Sequence, residues 1–226
     1  KEIFKYIKNR PSSLENKILP NLIENKKLSG KLFKDFFIDI GTPKTFKKAG
    51  KALLKNFKRP SAFLDRDGVI NYDYGYVHKI KDFKFKKGVI KGLQYLCKKK
   101  YYIFIITNQA GIGKKKFKEA DFIKLHLILK NKLIDKNIFF NEVSYSPFHP
   151  EAKVKKFKKD SLTRKPGNLM IEKIKKNWQI KLNKSFMIGD RLTDKIAAEK
   201  SKLYFEFPKK DFNKQIRSIL NKSSNY

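Results

Sequence analysis

From Phe57 onward, short apolar runs alternate with segments whose apolar residues recur at helical spacing. The runs are Ser61–Leu64, Tyr101–Ile106, Glu142–Tyr145, Phe186–Ile188 and Leu203–Phe207. Between them, Val89, Ile90, Leu93 and Leu96 mark one helix face, Phe122, Ile123, Leu127 and Leu133 a second, and Leu169, Met170, Ile174 and Trp178 a third. Strands that alternate with helices predict a parallel sheet reached by right-handed crossovers, with helices on both faces. The expected architecture is therefore α/β, three layers, Rossmann-like. In such sheets ligands bind beyond the carboxyl ends of the strands.

Those ends are polar in an ordered way. Asp65-Arg66-Asp67-Gly68-Val69-Ile70-Asn71 follows the first strand. Two carboxylates so close repel unless a cation or a shared task holds them. Thr107-Asn108-Gln109 follows the second, with Gly111 and Gly113 leaving backbone amides open to an anion. Arg164-Lys165-Pro166-Gly167 places two cations ahead of a helix, a setting that suits phosphate. Gly189-Asp190-Arg191-Leu192-Thr193-Asp194 follows the fourth strand. Acids, a hydroxyl and a lysine on one sheet edge predict a site for phosphate and magnesium.

The series Asp-x-Asp-Gly, Thr, Lys, Gly-Asp-x-x-x-Asp resembles the four motifs of the haloacid dehalogenase (HAD) superfamily of phosphatases, over roughly residues 57–210. Within it, Asp67–Asn71, Gly75-Tyr76-Val77-His78, Thr107–Ile112 and Arg164-Lys165-Pro166 are similar to the D-glycero-D-manno-heptose 1,7-bisphosphate phosphatases, with histidinol-phosphate phosphatase as the near alternative. The resemblance implies a HAD fold with a minimal cap. It implies Asp65 as nucleophile, Asp67 as acid and base, and Thr107 and Lys165 on the transferring phosphoryl group. Mg2+ would be held by Asp65, Asp190 and the backbone carbonyl of Asp67, with Asp194 orienting Lys165 or the loop. Asn108, Gln109 and Arg164 would grip the substrate beneath a flap at Tyr76–His78. The implied setting is nucleotide-activated heptose biosynthesis, of the kind that feeds lipopolysaccharide.

Many members of that family carry a zinc loop, Cys-x-His and then Cys-x-Cys before Arg-Lys-Pro. Ser146, Phe148, Ser161 and Thr163 stand at the matching positions here, so no zinc is expected. Phe148 against Phe157 is expected to hold the loop instead, and its lysines to favour extension.

Residues 1–56 read differently. Pro11-Ser12-Ser13-Leu14-Glu15 opens a helix capped by Ser12 or Ser13, and Phe36–Ile40 reads as a short strand before the turn Gly41-Thr42-Pro43. Thr42 or Thr45 would open the next helix. With Ile18-Leu19-Pro20 and the Asp-x-Gly-Thr pattern at Asp39, this small α/β segment is similar to the tail of a sugar-phosphate nucleotidyltransferase. Lys1 as first residue and the lack of a nucleotide loop make a truncated bifunctional protein the expectation. The missing nucleotidyltransferase portion is then a partner in a longer chain, and residues 57–226 are the phosphatase domain.

Composition narrows the alternatives. The formal charge is +34, but of 55 basic residues only Arg10, Arg59, Arg66, Arg164, Arg191 and Arg217 are arginine. Readers of phosphate forks and bases favour arginine, so a specific nucleic-acid partner is not expected. An end-processing or nucleic-acid-binding protein remains the rival of a different class. Cys97 is the single cysteine, which excludes a disulfide framework. No apolar run reaches the length of a membrane span and no signal peptide opens the chain, so a cytoplasmic enzyme with a small phosphosugar substrate and no membrane partner is expected.

Overall fold

A computed structural model describes residues 2–7 and 11–222. They form two units, Lys1–Ala49 and Gly50–Tyr226. In the first, the Ser13 hydroxyl accepts a hydrogen bond from the Asn16 amide at 3.1 Å. A π-turn at Leu14–Ile18 follows and runs into α1 (Leu19–Glu24), with Ile18 and Leu22 buried. Phe36–Ile40 is not a strand. A strand needs a neighbour for its backbone donors and acceptors, and this unit holds none among the described residues. The segment is helical rather than α/β. Thr42 opens α2 (Pro43–Phe57) by accepting from the Thr45 amide at 3.1 Å, and the boundary between the units falls inside that helix.

The second unit is built on five parallel strands: β1 (Ser61–Leu64), β2 (Tyr102–Asn108), β3 (Glu142–Ser146), β4 (Phe186–Ile188) and β5 (Tyr204–Glu206). Their order is β3-β2-β1-β4-β5. Leu64 pairs with Ile105 on one side and Ile188 on the other. The chain moves outward from β1 to β3, then returns to the far side of β1. That reversal opens a crevice beyond the ends of β1, β2 and β4.

Six helices complete the unit: α3 (Val89–Lys98), α4 (Ala110–Gly113), α5 (Glu119–Ile134), α6 (Leu169–Asn177), α7 (Leu192–Lys200) and α8 (Phe212–Lys222). Alternation along the strands sorts them into layers. Ala62, Leu64, Ile103, Ile105 and Ile188 pack with α3, α5 and α8. Phe63, Phe104, Ile106 and Met187 pack with α6 and α7 on the opposite face. In α5 the buried residues are Phe122, Leu125, Leu129 and Leu133, whereas Ile123 and Leu127 are exposed. Apolar residues surround that helix, so spacing alone does not select its inner face.

Between β1 and α3 the chain makes a small flap, tied at its base by the Tyr72 amide on the Lys84 carbonyl at 3.0 Å. This is the minimal cap. No helix among the described residues is long and apolar enough to cross a membrane.

Candidate active site

The acidic turn after β1 depends on glycine. Gly68 has φ +82°, and a Cβ there would collide with the Asp190 carboxylate arriving from the end of β4. This close approach brings Asp65, Asp190 and Asp194 together, each offering a carboxylate oxygen within 4.8 Å of the others. Lys165, delivered ahead of α6, lies 2.8 Å from Asp65 Oδ1 and also pairs with Asp194. Its ammonium donates as well to the Ile106 carbonyl at 2.9 Å.

Burial sets the electrostatics. The Asp65 pKa is pushed up to about 7, first by desolvation, with Lys165 pulling against it and Asp194 adding to it. Asp190 is raised by burial and then by Asp194. Burial works against the Lys165 ammonium, yet the Asp65 and Asp194 charges outweigh it and its pKa stands above the ordinary value. Asp190 Oδ1 is buried without a hydrogen-bond partner. An unpartnered carboxylate oxygen beside two further acids suits a hard divalent cation such as Mg2+, which takes oxygen ligands. Asp65 and Asp190 are the available pair: Lys165 takes only Oδ1 of Asp65, whereas both Asp194 oxygens are taken, one by Lys165 and the other by the Arg191 amide at 2.9 Å.

The Asp67 carboxylate stands apart from this cluster. Arg66 Nη2 donates to it at 2.8 Å, Asn71 Nδ2 at 2.9 Å and Gln109 Nε2 at 3.0 Å. The Thr107 hydroxyl is buried and accepts from Gln109 Nε2 at 2.9 Å. Asp65, Asp67, Thr107, Gln109, Lys165 and Asp194 face a polar cavity of about 370 Å³, lined also by Asn108, Arg164 and Tyr76.

Asn108 and Gln109 line this cavity, and His78 does not. The Asn108 amide is engaged at both ends by the Lys165 backbone, at 3.0 and 3.1 Å, so it also fixes the lysine loop. Gln109 is buried and its amide nitrogen is taken up by Asp67 and Thr107. His78 lies outside the cavity lining; its ring stacks on Phe117 at 4.7 Å, with Nδ1 2.7 Å from the Tyr76 carbonyl. Conversely, Lys114, His149, Arg191 and Asp73 also line the cavity and were not anticipated. Lys114 follows directly on the glycine loop and Arg191 sits inside the Gly-Asp-Arg motif. Their sequence position was the available signal.

The loop that resembles a zinc site closes without metal ligands. The Ser146 and Thr163 hydroxyls lie 3.2 Å apart, and Ser161 and Thr163 2.8 Å apart. Phe148 meets Phe157 edge-on at 5.6 Å, within a third apolar cluster that includes Ile112 and Phe117. The loop is therefore folded, not extended: apolar burial under its lysines outweighs their exposed, screened repulsion.

The family model described as polynucleotide kinase 3 phosphatase matches residues 63–218. The chain belongs to that family. It is a phosphoric monoester hydrolase of the HAD superfamily. The phosphatase is 40% identical over 144 residues to D-glycero-beta-D-manno-heptose-1,7-bisphosphate 7-phosphatase of Photorhabdus laumondii, covering 64% of this chain and 77% of the relative. It is 39% identical over 139 residues to the protein of that name from Escherichia coli K12, covering 62% and 73%. The crystal structure of D,D-heptose 1,7-bisphosphate phosphatase from B. bronchiseptica, complexed with magnesium and phosphate, superposes with a TM-score of 0.61 at 18% identity, over 74% of this chain and 97% of the other. That last likeness bears on the fold alone.

Proposed function

We propose that this chain removes one phosphate from a sugar bisphosphate, converting D-glycero-D-manno-heptose 1,7-bisphosphate to the 1-phosphate through an aspartyl phosphate on Asp65. The observation that carries this reading is a cavity lined by buried Lys165 and Thr107 and by the more exposed Lys114, Arg164 and Arg191. Lys165 and Thr107 suit the phosphoryl group being transferred, and the more exposed cations an anion on the same molecule. Histidinol phosphate presents an ammonium at its second end; Lys114 and Arg191 already pair with Glu151 and Asp73, so Arg164 is the cation that disfavours it.

In the proposed reaction, Asp65 attacks phosphorus and the bond to the sugar oxygen breaks. This splits one difficult displacement into two easier ones. Lys165 and Thr107 hold the phosphoryl oxygens, where charge accumulates. Asp67 gives its proton to the departing sugar oxygen, then accepts one from the water that cleaves the aspartyl phosphate. Mg2+ on Asp65 and Asp190 would supply the counter-charge that lets two anions meet. The relatives named for heptose bisphosphate favour this substrate. The matching family's name and the charge of +34 favour a second reading, a 3′-phosphorylated polynucleotide end. A phosphate-release panel of heptose bisphosphate, histidinol phosphate and a 3′-phosphorylated oligonucleotide separates the three. The first should give the highest kcat/KM; preference for either other member overturns the assignment.

The loop at Ser146, Ser161 and Thr163 offers hydroxyls, which are poor ligands for structural zinc. Purified protein should accordingly contain no stoichiometric zinc and keep its Tm in a zinc-selective chelator. One zinc per chain, lost together with stability, would refute this. Residues 1–56 retain the reading of a nucleotidyltransferase tail. The support is the sequence pattern around Asp39, whose carboxylate accepts from the Gly41 amide at 2.8 Å, and a run of exposed apolar residues from Leu32 to Ile40.

A further inference from the structure

Arg66 is 1% exposed, more deeply buried than either carboxylate that flanks it in the chain. A buried guanidinium is costly unless its donors are used. Here Nε and Nη2 fork onto both oxygens of Asp67 at 2.8–3.2 Å, and Nη2 also donates to the Val77 carbonyl at 2.6 Å. Val77 belongs to the flap, next to Tyr76 at the cavity. The guanidinium lies over the Phe122 ring at 5.5 Å, and that ring packs on His126 at 4.4 Å. Both ring nitrogens of His126 are buried and unpartnered, and its pKa is pushed down to about 3 by burial and then by the Arg66 charge. A neutral imidazole puts no second cation beside the guanidinium.

Of the three side chains that donate to Asp67, Asn71 reaches only Oδ1 and Gln109 only Oδ2. Arg66 alone touches both oxygens, and it ties the carboxylate to Val77 within the flap, whereas Asn71 ties it to the Tyr72 carbonyl at the flap's base. Two point contacts leave a carboxyl group free to rock about the line between them, whereas a planar fork fixes its plane. As a purely structural device the pair is poorly chosen. Ion pairs in apolar surroundings are often replaceable by apolar residues without loss of stability. Its value lies in what it holds.

We propose that Arg66 is a positioning residue that orients the Asp67 carboxyl toward the departing oxygen and registers it against the flap through Val77. This rests on the reading of Asp67 as the group that protonates that oxygen. An error of about 1 Å in such a group costs on the order of 10²-fold in rate.

The test compares kcat/KM for an alkyl phosphate, whose alkoxide needs the proton, with that for p-nitrophenyl phosphate, whose phenolate leaves without it. Because kcat/KM reports only the steps through the first bond cleavage, the later role of Asp67 toward water does not enter. The ratio of the two values in one sample also cancels the fraction of folded protein. Arg66→Met should lower alkyl ester turnover about 10²-fold and the aryl ester no more than about threefold. Arg66→Lys should recover only a small part, since an ammonium cannot fork. Asp67→Asn should show the same selectivity, and adding Arg66→Met to it should cost little more. If Asp67→Asn is selective but Arg66→Met lowers both esters equally, Arg66 is structural and the proposal is overturned. If Asp67→Asn is itself unselective, the acid role falls, and the proposal with it.

Discussion

Asp65→Asn should reduce phosphate release below detection while leaving the sheet intact. An amide is a poor nucleophile toward phosphorus and a weak ligand for a hard cation, so both tasks assigned to this position fail together. The shape of the residue is retained, and its neighbours Phe63 and Leu64 stay packed on opposite faces of β1. The same variant carries a stability signature. Asp65 in the folded protein binds its proton up to about pH 7, against an ordinary carboxyl value of 3.8. Between those values the folded state holds more protons than the unfolded state, so wild-type stability falls as pH rises through that window. Asparagine does not titrate. In metal-free buffer the Tm of Asp65→Asn should therefore gain on the wild type between pH 4 and pH 7. Substantial magnesium-dependent turnover by the variant would sink the nucleophile assignment. A Tm difference independent of pH would contradict the electrostatics.

The parts of this site that were legible in advance are those carried by short-range pattern. A run such as Phe186–Ile188, too short and apolar for anything but a buried strand, ends on Gly189-Asp190, and a parallel sheet then forces Asp190 to the same edge as Asp65 and Thr107. Lys165 needed only its motif. What was not legible depends on partners distant in sequence. Phe36–Ile40 has the composition of a strand but no neighbour to pair with. Asn108 has the look of a substrate ligand, yet a backbone turn 57 residues away takes both ends of its amide. Arg66 sits between two expected catalytic acids, and nothing in the run Asp-Arg-Asp tells whether the guanidinium points to solvent or folds inward onto Asp67. That direction is decided by the Val77 carbonyl and the Phe122 ring. Ser146, Ser161 and Thr163 are an intermediate case. Their chemistry argues against a four-ligand zinc site, but the mutual contact of their hydroxyls is a property of the folded loop.

Lys165→Met should damage activity and folding together. Its ammonium is 3% exposed and lies between Asp65 and Asp194, themselves 10% and 1% exposed. Methionine keeps the length and apolar stem but removes the charge, leaving two buried carboxylates to face each other. Breaking a buried pair from one side costs about 3–5 kcal/mol. Loss of a cation aimed at the transferring phosphoryl group costs about 10²–10³ in kcat. The two effects separate by pH. Without Lys165 to pull it down, the Asp65 pKa moves further above its unfolded value, because Lys165 is the principal influence opposing burial there. A carboxyl whose folded pKa is raised destabilises the fold progressively as pH climbs from the unfolded value through the folded one. The Tm deficit of Lys165→Met should thus be small near pH 4 and largest at pH 8, and added Mg2+ should recover part of it at pH 8 by supplying the missing positive charge. Lys165→Arg restores charge but not size, and a guanidinium cannot fit among Asp65, Asp194 and the Ile106 carbonyl without displacing one of them. It should recover stability at pH 8 more than it recovers turnover. Wild-type turnover in Lys165→Met, or a Tm deficit that does not grow with pH, would show that the lysine neither stabilises the phosphoryl group nor neutralises the acids beside it.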